Sequence, residues 1–120
     1  MSIVDFINKY RKQFLISLIN KKEIPDFNDS KIVRKHIRFS GRVQGVGFRV
    51  EAFGIADRLN LTGWVKNLSN GDVELEVEGE LKKINYLVEY LSSLRRAPID
   101  NVDIKDVNIL ENEKSFKIVG

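Results

Sequence analysis

Between Val33 and Leu59 the apolar residues change period once, and three glycines mark the change. Val33, Ile37, Phe39 and Val43 fall on one face of an extended chain, and Arg34, His36, Arg38, Ser40 and Arg42 fall on the other. That alternation predicts a half-buried strand. Gly41, Gly45 and Gly47 follow, and then Phe48, Ala52, Phe53, Ile55, Ala56 and Leu59 recur at helical spacing. A strand, a glycine loop and a helix therefore open the domain.

The rest of the chain extends this order. Thr62 to Leu68 and Asp72 to Glu78 read as two strands joined at Ser69-Asn70-Gly71, where Asn-Gly supplies the positive φ angles of a tight hairpin. Leu81, Ile84, Leu87, Val88, Leu91 and Leu94 form a second helical stripe that stops ahead of Pro98. Residues 101–110 and 114–119 carry strand material on either side of Glu111-Asn112-Glu113. The resulting βαββαβ order predicts an α+β fold, a ferredoxin-like split βαβ sandwich. Its sheet is expected to be antiparallel with four or five strands and to carry both helices on one face. Upstream, Ile3, Ile7, Tyr10, Phe14 and Leu18 repeat as an amphipathic helix, and Pro25, Asn28, Asp29 and Ser30 read as a polar linker. Residues 1–30 are thus assigned to an N-terminal helix and linker, and residues 31–120 to the domain proper.

A chain of 120 residues fits one domain, and 42% hydrophobic residues suits a globular core. The chain contains no cysteine, which excludes disulfides, a thiol nucleophile and thiolate metal sites and points to a cytoplasmic setting. Asp5, Lys9, Arg11 and Lys12 interrupt the apolar residues at the N-terminus, so neither a signal-peptide core nor a membrane span is expected there. The formal charge of +3 favours anionic partners slightly and specifies none.

The chemistry is concentrated in two stretches. In Gly41-Arg42-Val43-Gln44-Gly45-Val46-Gly47-Phe48-Arg49 the glycines let successive backbone amides face one point beside a helix N-terminus. Arg49 adds a permanently charged, planar fork that can bond two phosphate oxygens at once. No Gly-Lys-Ser/Thr follows for a P-loop, and Val50 stands where a dinucleotide fingerprint needs its third glycine. On loop chemistry alone, a glycine-rich connection with a surface arginine is an equal reading. The second stretch is Gly63-Trp64-Val65-Lys66-Asn67-Leu68-Ser69-Asn70-Gly71-Asp72-Val73, continuing to Gly79.

Together the two stretches resemble the acylphosphatase family, whose signatures are Gly-x-Val-Gln-Gly-Val-x-Phe-Arg and Gly-Trp-Val-x-Asn-x-x-x-Gly-x-Val. The resemblance runs from about Val33 to Val119. Phe39 departs from it only in standing where an aliphatic residue is common. It implies hydrolysis of the carboxyl–phosphate bond of a small-molecule acyl phosphate, with inorganic phosphate as product. Arg49 would match the phosphate-binding arginine, Val43, Gln44, Gly45, Val46, Gly47 and Phe48 the loop whose amides bind phosphate, and Asn67 the asparagine that positions the attacking water. The carboxylate leaving group, with a conjugate-acid pKa near ~4, needs no general acid. Neither stretch holds a histidine or cysteine, and no metal or cofactor is expected.

The remaining features have plainer readings. His36 is the sole histidine and is expected as a solvent-facing strand residue. Trp64 is expected at the core or its rim. Glu74, Glu76 and Glu78 alternate on a solvated face and make an RNA-binding sheet improbable, with Arg34, Arg38 and Arg42 available for cross-strand pairing. Neither nucleic acid nor membrane is expected as a partner. A non-catalytic phosphate-binding or protein-interaction module on the same fold is the alternative. The N-terminal helix is expected to dock on the domain or to mediate self-association.

Overall fold

The computed structural model describes residues 31–120. In that span the elements run β1 (Ile32–Gly41), α1 (Phe48–Arg58), β2 (Thr62–Asn67), β3 (Val73–Glu80), α2 (Leu81–Ser92), β4 (Ile99–Val107) and β5 (Phe116–Ile118). The expected βαββαβ order is present, followed by a short fifth strand. The helix assigned to residues 1–30 lies outside the described residues.

The strands form one sheet in the order β4-β1-β3-β2-β5. The pairs β1–β3, β1–β4 and β2–β3 are antiparallel, as the sequence predicted. β5 corrects the expectation of a wholly antiparallel sheet, because it runs parallel to β2 with Gly63 opposite Phe116 and Val65 opposite Ile118. The eight residues between β4 and β5 let the chain cross the open face before it joins the far edge.

Period-two alternation decides what each face of the sheet carries. Ile37, Phe39, Val65, Val73, Leu75, Val77 and Val102 are buried beneath the two helices, whose Phe48, Ala52, Ile55, Ala56, Ile84, Leu87, Val88 and Leu91 complete the core. The other face carries the alternate residues as ion pairs. His36 Nε2 lies 3.1 Å from Glu74 Oε2, Arg38 Nε lies 2.7 Å from Asp72 Oδ2, and Lys66 Nζ lies 3.6 Å from Glu74 Oε1. His36 is therefore a paired, half-buried residue, not a freely solvated one. Trp64 sits at the rim of this face, edge-on to His36 and with Lys66 Nζ 5.5 Å from its ring centre.

Arg34 departs furthest from a solvated face, being only 1% exposed. Its Nε donates to Glu76 Oε2 at 2.7 Å, and its Nη1 donates to Glu78 Oε1 at 3.2 Å and to Glu113 Oε1 at 2.5 Å. The amides of Leu110 and Glu111 close over Glu78 at 2.7 and 3.3 Å. Burial opposes the charged guanidinium, but Glu113 and Glu76 outweigh it and raise the pKa of Arg34. This cluster fastens the β4–β5 connection to the sheet, and so fixes the path by which β5 reaches β2.

Two chain reversals shape the ends of elements near the site. α1 closes with Asn60 at φ 57, its amide bonded to Asp57 O and that of Leu61 to Ala56 O, a Schellman arrangement. At the Asn70-Gly71 turn Gly71 has a positive φ, at 98, and Asn70 does not, whereas the Asn-Gly reading expected it at both residues. Asn70 instead accepts the Asp72 amide on its side-chain oxygen at 3.0 Å, and Leu68 N bonds Asp72 O at 2.8 Å. The result is a three-residue loop closed by an Asx turn.

Candidate active site

The β1–α1 loop is anchored by side chains and leaves its backbone available. Val43 and Phe48 are both 1% exposed, and the Phe48 ring meets Phe39 edge to face at 5.0 Å. Between them Gly45 and Gly47 are exposed and adopt φ 73 and 81, a conformation that glycine enters without steric cost. Gly47 caps α1, and its carbonyl accepts the Glu51 amide at 3.1 Å. The backbone amides of residues 43–49 donate to no protein acceptor among the described residues. A run of unused amides at the start of a helix concentrates partial positive charge and suits a tetrahedral anion.

Gln44 ties this loop to the β2–β3 hairpin. Its side-chain Nε2 donates to the carbonyls of Leu68 at 2.7 Å and Asp72 at 2.8 Å. The sequence reading gave Gln44 mainly a backbone role, and the side chain proves to be the link between the two motifs. Leu68 directly follows Asn67, the last residue of β2, whose Oδ1 is buried and has no hydrogen-bond partner among the described residues. A buried amide oxygen without a partner is costly, by about 1–3 kcal/mol, and such groups concentrate where a ligand supplies the missing bond.

Arg49 is the second residue of α1 and is half-buried. Its Nη1 donates to the carbonyl of Gly120 at 2.8 Å. Val119 N bonds Val65 O at 2.8 Å, and Gly120 lies against the Cβ of Lys66. The chain beyond β5 thus follows β2 and leads Arg49 toward the strand end that carries Asn67. The glycine loop, Arg49 and Asn67, the last two 18 residues apart in sequence, are linked through Gln44 on one side and the chain beyond β5 on the other.

The carboxylates around the site are partnered. Burial works to raise the Asp72 pKa, but hydrogen bonds from Arg38 and Asn70 dominate and hold it below the usual range. Asp72 is therefore an acceptor that fixes the hairpin and is not a proton donor at neutral pH. Glu74 and Glu76 are paired with His36, Lys66 and Arg34 on the opposite face of the sheet. Among the described residues no group of three or more His, Cys, Asp or Glu is arranged to hold a metal ion, and no helix is long and apolar enough to cross a membrane.

Three contacts had no counterpart in the sequence reading. Arg96, beyond α2, donates from Nε to Val46 O at 2.8 Å and from Nη2 to Glu51 Oε2 at 2.6 Å. Gly120 reaches Arg49 across 71 residues. No spacing rule links positions so far apart, so their pairing is visible only once the sheet is assembled.

Comparison with known proteins agrees with this geometry. The acylphosphatase family model matches residues 35–118. An acylphosphatase of Clostridium acetobutylicum is 42% identical over 84 residues, which are 69% of this chain and 92% of that relative. The crystal structure of an acylphosphatase from Bacillus subtilis superposes with a TM-score of 0.69 at 33% identity, covering 75% of this chain and all of that one. The structure of an acylphosphatase from Coxiella burnetii gives 0.68 at 38% identity, covering 77% of this chain and 99% of that one. With both motifs intact, their loop and strand-end geometry in place and the match spanning nearly the whole sheet, the chain belongs to the acylphosphatase family.

Proposed function

We propose that the chain hydrolyses small-molecule acyl phosphates to a carboxylate and inorganic phosphate. The observation that carries this reading is the pairing of a loop of unused amides with Asn67, whose buried Oδ1 has no partner among the described residues, through the side chain of Gln44. The amides of residues 43–49 and the guanidinium of Arg49 hold the phosphoryl oxygens. In-line attack places charge on the equatorial oxygens, where these preorganised donors follow it into the transition state. Asn67 holds the attacking water by hydrogen bonding without ionising it.

The stoichiometry requires no external acid. Water adds its oxygen to phosphorus, the bond from phosphorus to the acyl oxygen breaks, and the electron pair leaves with the carboxylate. Both water protons finish on the phosphate, so an acyl phosphate dianion yields a carboxylate and dihydrogen phosphate. A carboxylate is a good leaving group at neutral pH, which suits a site whose functional side chains are an arginine and an asparagine.

The test is the initial rate of benzoyl phosphate hydrolysis in chelator-treated buffer, corrected for the uncatalysed reaction. Wild type is expected to turn over, and Arg49→Ala to lose about 10²–10³ in rate, the range for removing one oxyanion donor. Arg49→Lys should recover little, because an ammonium lacks the bidentate fork. A wild-type rate equal to buffer would reject hydrolysis of this substrate class and favour the non-catalytic phosphate-binding module.

A further inference from the structure

We infer that Arg96 is a positioning residue for the phosphate loop, acting through the peptide that joins Val46 to Gly47; the inference rests on the phosphate-binding reading of that loop. All peptides of the described chain are trans. In a trans peptide the C=O and the following N–H lie in one plane and point in opposite directions. The Arg96 Nε–H bonds the Val46 carbonyl at 2.8 Å. Fixing that carbonyl on the Arg96 side aims the Gly47 N–H the opposite way, toward the side of the loop away from Arg96.

Gly47 needs such a restraint. It has φ 81, is exposed, and gains no side-chain packing, and its amide is among those that donate to no protein acceptor. A glycine in this position can rotate its flanking peptides at little cost, and a rotated peptide would present a carbonyl oxygen to the phosphate in place of an amide. The Arg96 side chain also flanks the glycine itself, since a Cβ placed on Gly47 would lie 3.6 Å from Arg96 Nη2.

Arg96 is itself held from the helix that the loop begins. Its Nη2 lies 2.6 Å from Glu51 Oε2, and Tyr90 OH reaches the other carboxylate oxygen at 3.5 Å. Glu51 stands in the first turn of α1, where a negative charge is favoured by the helix N-terminus. Val46 O, Arg96 and Glu51 therefore form a brace across the back of the loop, joining the segment after α2 to the first turn of α1.

Two readings of Arg96 make opposite predictions for Glu51. If Arg96 acts only through its positive charge near the anion, then Glu51→Gln removes a nearby negative charge and phosphate binds more tightly. If Arg96 acts as a brace, Glu51→Gln loosens the guanidinium and phosphate binds more weakly. The experiment measures the affinity of inorganic phosphate and the kcat and KM for benzoyl phosphate in wild type, Arg96→Ala, Glu51→Gln and Arg49→Ala, with urea unfolding of each. The brace predicts a phosphate affinity about three- to tenfold lower in both Arg96→Ala and Glu51→Gln, the loss expected for one hydrogen bond, and a lower kcat/KM. The unfolding midpoints should stay near wild type. Tighter phosphate binding in Glu51→Gln, or wild-type affinity in Arg96→Ala, would overturn it. If Arg49→Ala also binds phosphate as wild type does, the phosphate-loop reading fails with it; if Arg49→Ala alone loses binding, only the brace fails.

Discussion

Glu89 offers a test of the fold that depends on one buried group. It lies on α2, only 3% exposed, and neither carboxylate oxygen has a hydrogen-bond partner among the described residues. Burial alone pushes its pKa from 4.5 up to about 8. In the unfolded chain the carboxyl titrates near its ordinary value. Between pH 4.5 and 8 the folded protein therefore holds one more proton than the unfolded one, and stability falls as pH rises. The contribution is complete below pH 4.5 and is lost as pH climbs through about 8. Within this window the slope approaches ~1.4 kcal/mol per pH unit, so about 2–3 kcal/mol should disappear between pH 5.5 and 7.5.

The assay is urea unfolding of wild type and Glu89→Gln at half-unit steps across that range. Glutamine keeps the shape and cannot ionise, so the variant should lack this slope and be the more stable protein at pH 7.5. Taking the difference between the two curves cancels every ionisable group common to both. Asp72 and Glu78, whose pKa values are held low, act on the acid side of the window. Parallel curves would refute the reasoning, since they would mean that Glu89 is ionised in both states throughout.

Further outcomes follow from the site and its supports. Arg34→Leu leaves Glu76, Glu78 and Glu113 facing one another without their cation, and should cost about 3–5 kcal/mol by urea unfolding, with partial recovery at low pH as the carboxylates protonate. Gln44→Leu removes both bonds to the hairpin while keeping much of the bulk, and should raise KM and lower kcat/KM by about tenfold or more in the benzoyl phosphate assay. Asn67→Asp places a charge where a neutral amide oxygen is buried, and should lower kcat by about 10² or more through repulsion of the phosphoryl group; a rate within twofold of wild type would remove Asn67 from the reaction.

The parts of the molecule that could be read from sequence are those set by neighbours in the chain. The alternation of Val33 to Val43 and the helical stripes of α1 and α2 depend on periods of two and 3.6, and both reappear in the structure. The glycine loop was legible for the same reason, because Gly45 and Gly47 permit a backbone that other residues resist. What was hidden depends on register. The pairing of Arg34 with the β3 glutamates was legible, but its burial was not, because Glu113, 79 positions away, crosses the open face to meet it. Glu89 reads as an ordinary polar helix residue, since its burial follows from tertiary packing and not from the stripe of Ile84, Leu87, Val88 and Leu91. β5 was visible as strand material, but its parallel direction was not, because direction is fixed by the connection anchored on Glu78.

The same distinction divides the site by mechanism. A ground-state phosphate and the transition state share the oxygens that the loop amides and Arg49 contact, so anything that deforms the loop weakens binding of substrate, product and transition state together. On the proposed mechanism Asn67 is different, because the water it would hold becomes part of the phosphoryl group only during the reaction. Interactions made equally in both states appear in KM, and those made on the way to the transition state appear in kcat. Loosening Gln44 or Arg96 should therefore reduce the affinity of inorganic phosphate and kcat/KM in step, whereas Asn67→Ala should lose kcat while retaining phosphate affinity. On the proposed mechanism the supports matter for a chemical reason: with a leaving group that needs no acid, the shape of the loop would carry the catalytic advantage that other hydrolases place in titrating side chains. Two long-range side chains, Gln44 to the hairpin and Arg96 to the back of the loop, hold that shape from opposite sides.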